Sequence, residues 1–166
     1  LMYTPGAIDA FAAVKSVFDP EDVLNPGVIV RPRALDADLR EVSARSMVSD
    51  LAFAYHHDGG DFSTAVHRCT GVGKCRIPSG PGVMCPSFRA TRDEKDSTRG
   101  RARVLQELAN GSIVRGWRAP EILESLDLCL SCKACSSECP TGVDMATLKA
   151  EALFQRYRYR PRPATH

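Results

Sequence analysis

The sequence predicts a mainly α-helical chain whose short helices gather around metal-ligating cysteines, with no large sheet. Three observations predict it. Cys129-Leu130-Ser131-Cys132-Lys133-Ala134-Cys135-Ser136-Ser137-Glu138-Cys139-Pro140 reads C-x2-C-x2-C-x3-C-P, the spacing by which a chain wraps a [4Fe–4S] cluster. Cys69, Cys75 and Cys85 form a second group, the last also followed by a proline, Pro86. Between these groups, apolar residues recur at helical spacing in segments punctuated by Pro, Gly, Asp and Ser.

Bulk properties narrow the class. The 166 residues suffice for one or two small domains, and 43% hydrophobic with 25% charged residues is an ordinary globular composition. No apolar run approaches the ~18 residues of a membrane span. A net charge of +2 gives no footprint for nucleic acid. Seven cysteines, an odd number, clustered at C-x2-C spacing and with no signal peptide, point to metal in a reducing, cytoplasmic compartment rather than to disulfides. A peripheral position at the inner face of a membrane is compatible with this. The chain begins at Leu1 in what reads as the middle of a domain, so a piece of a longer protein is expected.

Residues 1–33 form the first predicted unit. Thr4-Pro5 starts a helix with Pro5 at its first position, and Ile8, Phe11, Ala12 and Phe18 give it an apolar side. Asp19-Pro20-Glu21-Asp22 caps a short second turn, Leu24-Asn25-Pro26-Gly27 stops it, and Val28-Ile29-Val30 reads as a brief extended exit. Residues 34–60 read as a connector: one short turn at 35–39, an apolar strand or packed extended segment at 51–55, and an exposed turn at His56-His57-Asp58-Gly59-Gly60.

A cluster domain is predicted over 61–160. Asp61 caps a short helix leading to Cys69. The loop 76–84 is an irregular insertion. Asp96 or Ser97 caps a helix through Val104, Leu105 and Leu108 that Gly111 stops. Arg99 and Arg101 sit on its first turn, either solvated or balancing cluster charge. Ala119-Pro120 opens a helix with Ile122, Leu123 and Leu126 facing inward. Asp144 caps a long last helix with Met145, Leu148, Ala152, Leu153 and Tyr157 on its buried side. A basic, Tyr-rich stretch from Arg156 runs into a tail at 161–166, either frayed or set against an acidic partner.

In proteins with two such clusters the fourth cysteine of each run ligates the other cluster. Cys129, Cys132 and Cys135 are therefore expected to join Cys85 on one [4Fe–4S] cluster, and Cys69 and Cys75 to join Cys139 on the other. The second set is one thiolate short, because the position equivalent to the middle cysteine is Val72. That site is open to [3Fe–4S], to [4Fe–4S] with a non-cysteine ligand, or to vacancy. His67 is near Cys69 in sequence, but helical geometry turns it away. Zinc is the competing metal, disfavoured by so many cysteines in one run.

Phe18-Asp19-Pro20-Glu21-Asp22-Val23-Leu24-Asn25-Pro26-Gly27 resembles the closing motif of FAD-linked oxidases, flavoproteins that oxidise D-lactate, glycolate and D-2-hydroxyglutarate. Arg68-Cys69 through Cys75-Arg76, Met84-Cys85-Pro86-Ser87-Phe88 and Ser97-Thr98-Arg99-Gly100-Arg101-Ala102 resemble the ferredoxin-like domain fused behind such oxidases. The resemblance runs from about Phe18 to Tyr157 and includes the missing middle cysteine. It implies that Asn25, Pro26 and Gly27 approach the flavin of an FAD domain upstream in the same longer chain. It implies a helical [4Fe–4S] ferredoxin-like fold behind the last helices of an oxidase cap domain. It also implies that electrons from a D-2-hydroxy acid pass through FAD to the clusters, and on to a quinone, cytochrome or carrier protein. No residue reads as a general base, so the segment alone is not expected to catalyse. The alternatives are a separate iron–sulfur subunit, like those of glycerol-3-phosphate or succinate dehydrogenases, and a purely structural cluster. The oxidase closing motif argues against the separate subunit.

Overall fold

A computed structural model describes residues 2–37, 44–111 and 113–164. They contain helices and turns and no strand. The chain divides into two compact units, 1–42 and 43–166. No helix among the described residues is long and apolar enough to cross a membrane.

The first unit is one helix and a loop. Helix α1 (Pro5–Phe18) starts as its sequence dictates, with the Thr4 hydroxyl accepting from the Ala7 N–H and Pro5 in the first turn. Asp19 ends it and organises the loop. Its carboxylate pairs with Lys15 and accepts from the Val23 and Leu24 N–H groups, both at 2.9 Å. Lys15 also donates to the Leu24 carbonyl at 2.8 Å. No α1 residue is fully buried, and Val17, Phe18, Val23 and Leu24 are each at least 68% exposed. The extended exit expected at 28–30 is absent: Ile29 has φ 64° and the Val30 N–H folds back to the Val28 carbonyl. The turn expected at 35–39 is described only to Ala37; its last two residues lie outside the described residues.

The second unit is built from α2 (Phe62–His67), α3 (Pro86–Thr91), α4 (Thr98–Asn110), α5 (Pro120–Leu126), α6 (Ala134–Glu138) and α7 (Met145–Tyr157). Helix α4 is central and packs on α2 and α5. Ser97 is its N-cap, accepting from the Gly100 N–H at 2.8 Å, and Gly111 ends it at φ 68°, a left-handed conformation that suits glycine. Phe62, Leu105, Ile122, Leu126, Met145 and Leu148 form the apolar centre, each at most 2% exposed. Burying a side chain of this kind is worth about 1.5–3 kcal/mol. Phe62 meets Trp117 edge-on at 4.9 Å and Tyr55 at 5.9 Å.

Part of the expected connector packs here. Tyr55 is buried, and Met47 and Leu51 lie against the core. The anchor is Glu151 on α7, fully buried, whose carboxylate accepts from the Ala52 N–H (2.9 Å) and the Phe53 N–H (3.1 Å). Segment 51–55 is irregular, with its Ala52 and Phe53 N–H groups donated to this carboxylate. The His56–Asp58 turn is a single 3-10 turn with both histidines exposed. Leu153 and Tyr157, expected on the buried side of α7, are only half-buried. The basic stretch is partly fastened: Arg156 donates to the Arg118 carbonyl and Arg158 pairs with Asp50.

Candidate metal centre

All seven cysteines are free thiols. The structure brings them together in two sets. Cys85, Cys129, Cys132 and Cys135 line one small cavity, and Cys69, Cys75 and Cys139 line another. Buried Met84 and Thr98 line both, so the cavities share a wall. The sulfurs ring space rather than meet at a point. Among the described residues no three His, Cys, Asp or Glu side chains are gathered closely enough for one metal ion. Sets of three and four soft thiolates with no histidine among them fit polynuclear iron–sulfur groups.

The two cysteine loops are conformational repeats. In the first, Gly71 (φ 85°) and Gly73 (φ 82°) flank Val72. In the second, Ser131 (φ 52°) and Lys133 (φ 61°) flank Cys132. Left-handed residues on both sides of the middle position turn the backbone so that the first and third cysteines face one cavity. Glycines fit this conformation without strain; Ser131 and Lys133 adopt it against their preference.

The third cysteine of each loop lies against the first turn of a long helix, α4 or α7. The Arg99 N–H donates to Cys75 Sγ at 3.3 Å, and the Met145 N–H to Cys135 Sγ at 3.4 Å. These positive helix ends favour thiolate charge. Hydroxyls repeat as well: Ser87 lies 3.5 Å from Cys85 Sγ and Thr141 lies 3.2 Å from Cys139 Sγ, each two residues beyond its cysteine. Burial pushes the Cys75 and Cys135 thiols up in pKa, more than these N–H donors pull them down. Burial also acts on Cys85 and Cys139, but there it is outweighed. Ser87, Thr98 and Arg101 hold Cys85 below the ordinary thiol value, and Thr141 with the Val143 N–H does so for Cys139. The last two are the more thiolate-like and better poised to ligate metal.

Sequence reasoning left Arg101 between two readings, and its solvated reading is overturned. It is 1% exposed, donating to Cys85 Sγ, to Ser87 Oγ (2.9 Å) and to the Ser125 carbonyl (2.7 Å). Arg99 is half-exposed and pairs with Glu94. His67 Nδ1 donates to the Ser63 carbonyl, and His67 does not line the second cavity. Two supporting residues were not foreseen. Glu138 accepts from the Val83 and Met84 N–H groups, holding the irregular 76–84 loop so that Cys85 reaches the other loop's cavity. Lys149 donates to the Cys129 carbonyl at 2.7 Å, fixing the second loop on α7. Their signal was weak, because their partners are backbone groups distant in sequence. Asn25, Pro26 and Gly27 lie in the first unit's loop, where Asn25 is exposed with φ 52° and Gly27 has φ 73°.

A helical unit whose cysteines line two adjoining cavities is an iron–sulfur module. The chain belongs to the 4Fe-4S dicluster domain family, which residues 44–143 match. Among curated proteins it is 28% identical to the D-2-hydroxyglutarate dehydrogenase of Pseudomonas putida over 87% of this chain, and 28% identical to that of Escherichia coli over 84%. It is 36% identical to the glycolate oxidase iron-sulfur subunit of Escherichia coli over 37% of this chain. The chain spans only 18%, 17% and 14% of those proteins' lengths. No solved structure matches it.

Proposed function

We propose that this chain is the electron-relay segment of a flavin-dependent D-2-hydroxy-acid dehydrogenase, of the D-2-hydroxyglutarate or D-lactate type. In this reading FAD lies in an upstream domain of the same polypeptide, residues 1–33 close that domain, and Asn25, Pro26 and Gly27 approach the flavin. The single observation that carries the relay is the pair of cysteine-lined cavities sharing the Met84–Thr98 wall. The fusion is supported by the oxidase closing motif, by the similarity to much longer dehydrogenases, and by the apolar side chains left exposed in the first unit.

In this assignment Cys85, Cys129, Cys132 and Cys135 hold one cluster, and Cys69, Cys75 and Cys139 ligate the second. A bound cluster supplies one-electron transfer with little geometric change. The chain's own residues do the rest. The Arg99 and Met145 N–H groups and the Arg101 guanidinium offset charge at the sulfurs. Met84 and Thr98, both buried, stand between the sites. The final acceptor is a quinone, cytochrome or carrier protein reached from the protein surface.

The test uses the full-length holoprotein, mixed anaerobically with D-2-hydroxyglutarate or D-lactate. Flavin bleaching followed by bleaching of the broad iron–sulfur absorption is expected. Flavin reduction with the iron–sulfur absorption unchanged would refute the relay. The similarity to glycolate oxidase iron-sulfur subunits favours a second reading, a separate subunit that receives electrons from a partner flavoprotein. Flavin on the same polypeptide as the cysteines, shown by denaturing mass spectrometry and flavin content of the purified protein, excludes it.

A further inference from the structure

We infer that the groove over Cys129 is the electron exit, where a quinone binds and is reduced. This rests on the reading that the chain relays electrons through its cysteine-held sites, and it selects one acceptor and one place from those that reading allows.

The two sites open onto the surface through unlike grooves. Cys129 lines the first cavity and also an open groove between α5, the 129–131 loop and α7. Cys69 likewise lines the second cavity and a groove beside the start of α4. One cysteine on each side therefore stands between its cavity and the surface. Among the described residues, the Cys69 groove is lined by Glu94, Lys95, Arg99 and Arg103 and by no Leu, Ile, Val or aromatic side chain. The Cys129 groove is the apolar one, with walls that include Leu130, Leu153 and Phe154 and with Ala150 between them. Leu130 is 70% exposed. The groove encloses about 590 Å³, within the range of small-molecule sites.

Its charged groups are few: Lys149, the exposed Arg162, and one acid, Asp127. Lys149 donates to the Cys129 carbonyl at 2.7 Å and to the Asp127 carbonyl at 3.4 Å. An ammonium has three N–H groups, so one remains for a ligand. An apolar body with carbonyl oxygens that accept from Lys149 and Arg162 matches this lining, and a quinone has both. A carrier protein keeps its redox group within its own fold and would fill the groove only with side chains.

The electrons balance. At the flavin, oxidation of the hydroxy acid to the 2-oxo acid releases two electrons and two protons (one C–H and one O–H bond break). In the groove, two electrons arriving singly past Cys129, with two protons from water, convert the quinone to the quinol. The two cations oppose the negative charge that develops on the quinone oxygens.

The experiment uses the full-length holoprotein and tetramethyl-1,4-benzoquinone, whose fully substituted ring does not add to thiols. Equilibrium dialysis against the oxidised protein should show saturable binding. In stopped flow, reoxidation of the iron–sulfur absorption of substrate-reduced protein should saturate with quinone concentration. Ala150→Phe fills the groove and should weaken binding by about tenfold or more. Leu130→Ser, at an exposed position outside the core, removes one wall and should weaken it by about threefold or more. Iron and sulfide content equal to the wild type shows that a variant has kept its clusters. Binding of equal strength in the wild type and both variants would overturn the inference. So would the absence of binding together with reoxidation that rises linearly with quinone. Failure of substrate to bleach the iron–sulfur absorption would strike the relay instead, and the dialysis would still decide whether the groove takes a quinone.

Discussion

Arg101 Nη1 lies 3.4 Å from Cys85 Sγ, inside the core and away from solvent. The same guanidinium bonds the Ser125 carbonyl and the Ser87 hydroxyl, and lies 3.9 Å from the buried Asp96 carboxylate. One side chain from α4 thereby joins α5, the start of α3 and the crossing cysteine. A positive charge beside the sulfur favours the reduced, more negative state of whatever that sulfur ligates. Arg101→Lys keeps the charge and loses the fork; Arg101→Met loses both. We expect Arg101→Met to lower the midpoint potential of the first centre in a spectroscopic redox titration, and Arg101→Lys to lower it less. Removing one member of a buried pair costs about 3–5 kcal/mol, so Arg101→Met should also melt earlier.

Gly100 gives a prediction whose sign departs from helix propensity. Glycine to alanine inside a helix normally stabilises by about 1 kcal/mol. A Cβ at Gly100, however, would lie 2.0 Å from the Glu94 carbonyl oxygen and 3.1 Å from the Lys95 Cα. Those are backbone atoms of the Glu94–Asp96 turn, which leads directly into the Ser97 cap. Gly100→Ala is expected to destabilise by about 1–3 kcal/mol, as overpacking does. Chemical denaturation of the holoprotein reads this directly, and a stabilised variant would contradict it.

Glu151 predicts a purely structural effect. Its carboxylate is fully buried and satisfies two N–H groups of segment 51–53 and the Gln155 amide. Glu151→Ala strands those donors, at about 1–3 kcal/mol for each one left buried without a partner. We expect faster hydrogen exchange at Ala52 and Phe53 with the cluster spectrum unchanged. A changed spectrum would mean that the anchor reaches the metal sites.

Removing metal should do more than empty the cavities. The cysteines come from loops outside the long helices, and thiolate ligation would join Cys85 to the 129–135 loop and Cys139 to the 69–75 loop, beyond the Glu138 contacts with the Val83 and Met84 N–H groups. The apoprotein is expected to keep helical circular dichroism but lose a sharp cooperative melt. A cooperative transition after iron removal would contradict this.

The helices were legible where local chemistry decides them. Thr4-Pro5, Asp61, Ser97, Asp144 and Gly111 all act as the caps and stop their residue types favour. The grouping of Cys85 with the 129–135 loop and of Cys139 with the 69–75 loop around two cavities follows the expectation that two-cluster proteins exchange the fourth cysteine of each run. What was hidden depends on contacts distant in sequence. Glu151 reads as one more charge on a helix face, and only the fold shows that it replaces a strand ladder for segment 51–53. Arg101 sits among other arginines, and nothing local distinguishes the buried one from the half-exposed Arg99. The likeness of Gly71 and Gly73 to Ser131 and Lys133 was likewise invisible, since the shared property is a backbone angle rather than a side chain.

Exchange of one cysteine between the two sites is tested most directly by cysteine substitution read by electron paramagnetic resonance. In the full-length, dithionite-reduced and oxidised protein, Cys85→Ala should perturb the same signal as Cys135→Ala, and Cys139→Ala the same signal as Cys75→Ala. If Cys139→Ala instead perturbs the signal that Cys135→Ala perturbs, each run closes on itself and the exchange is wrong.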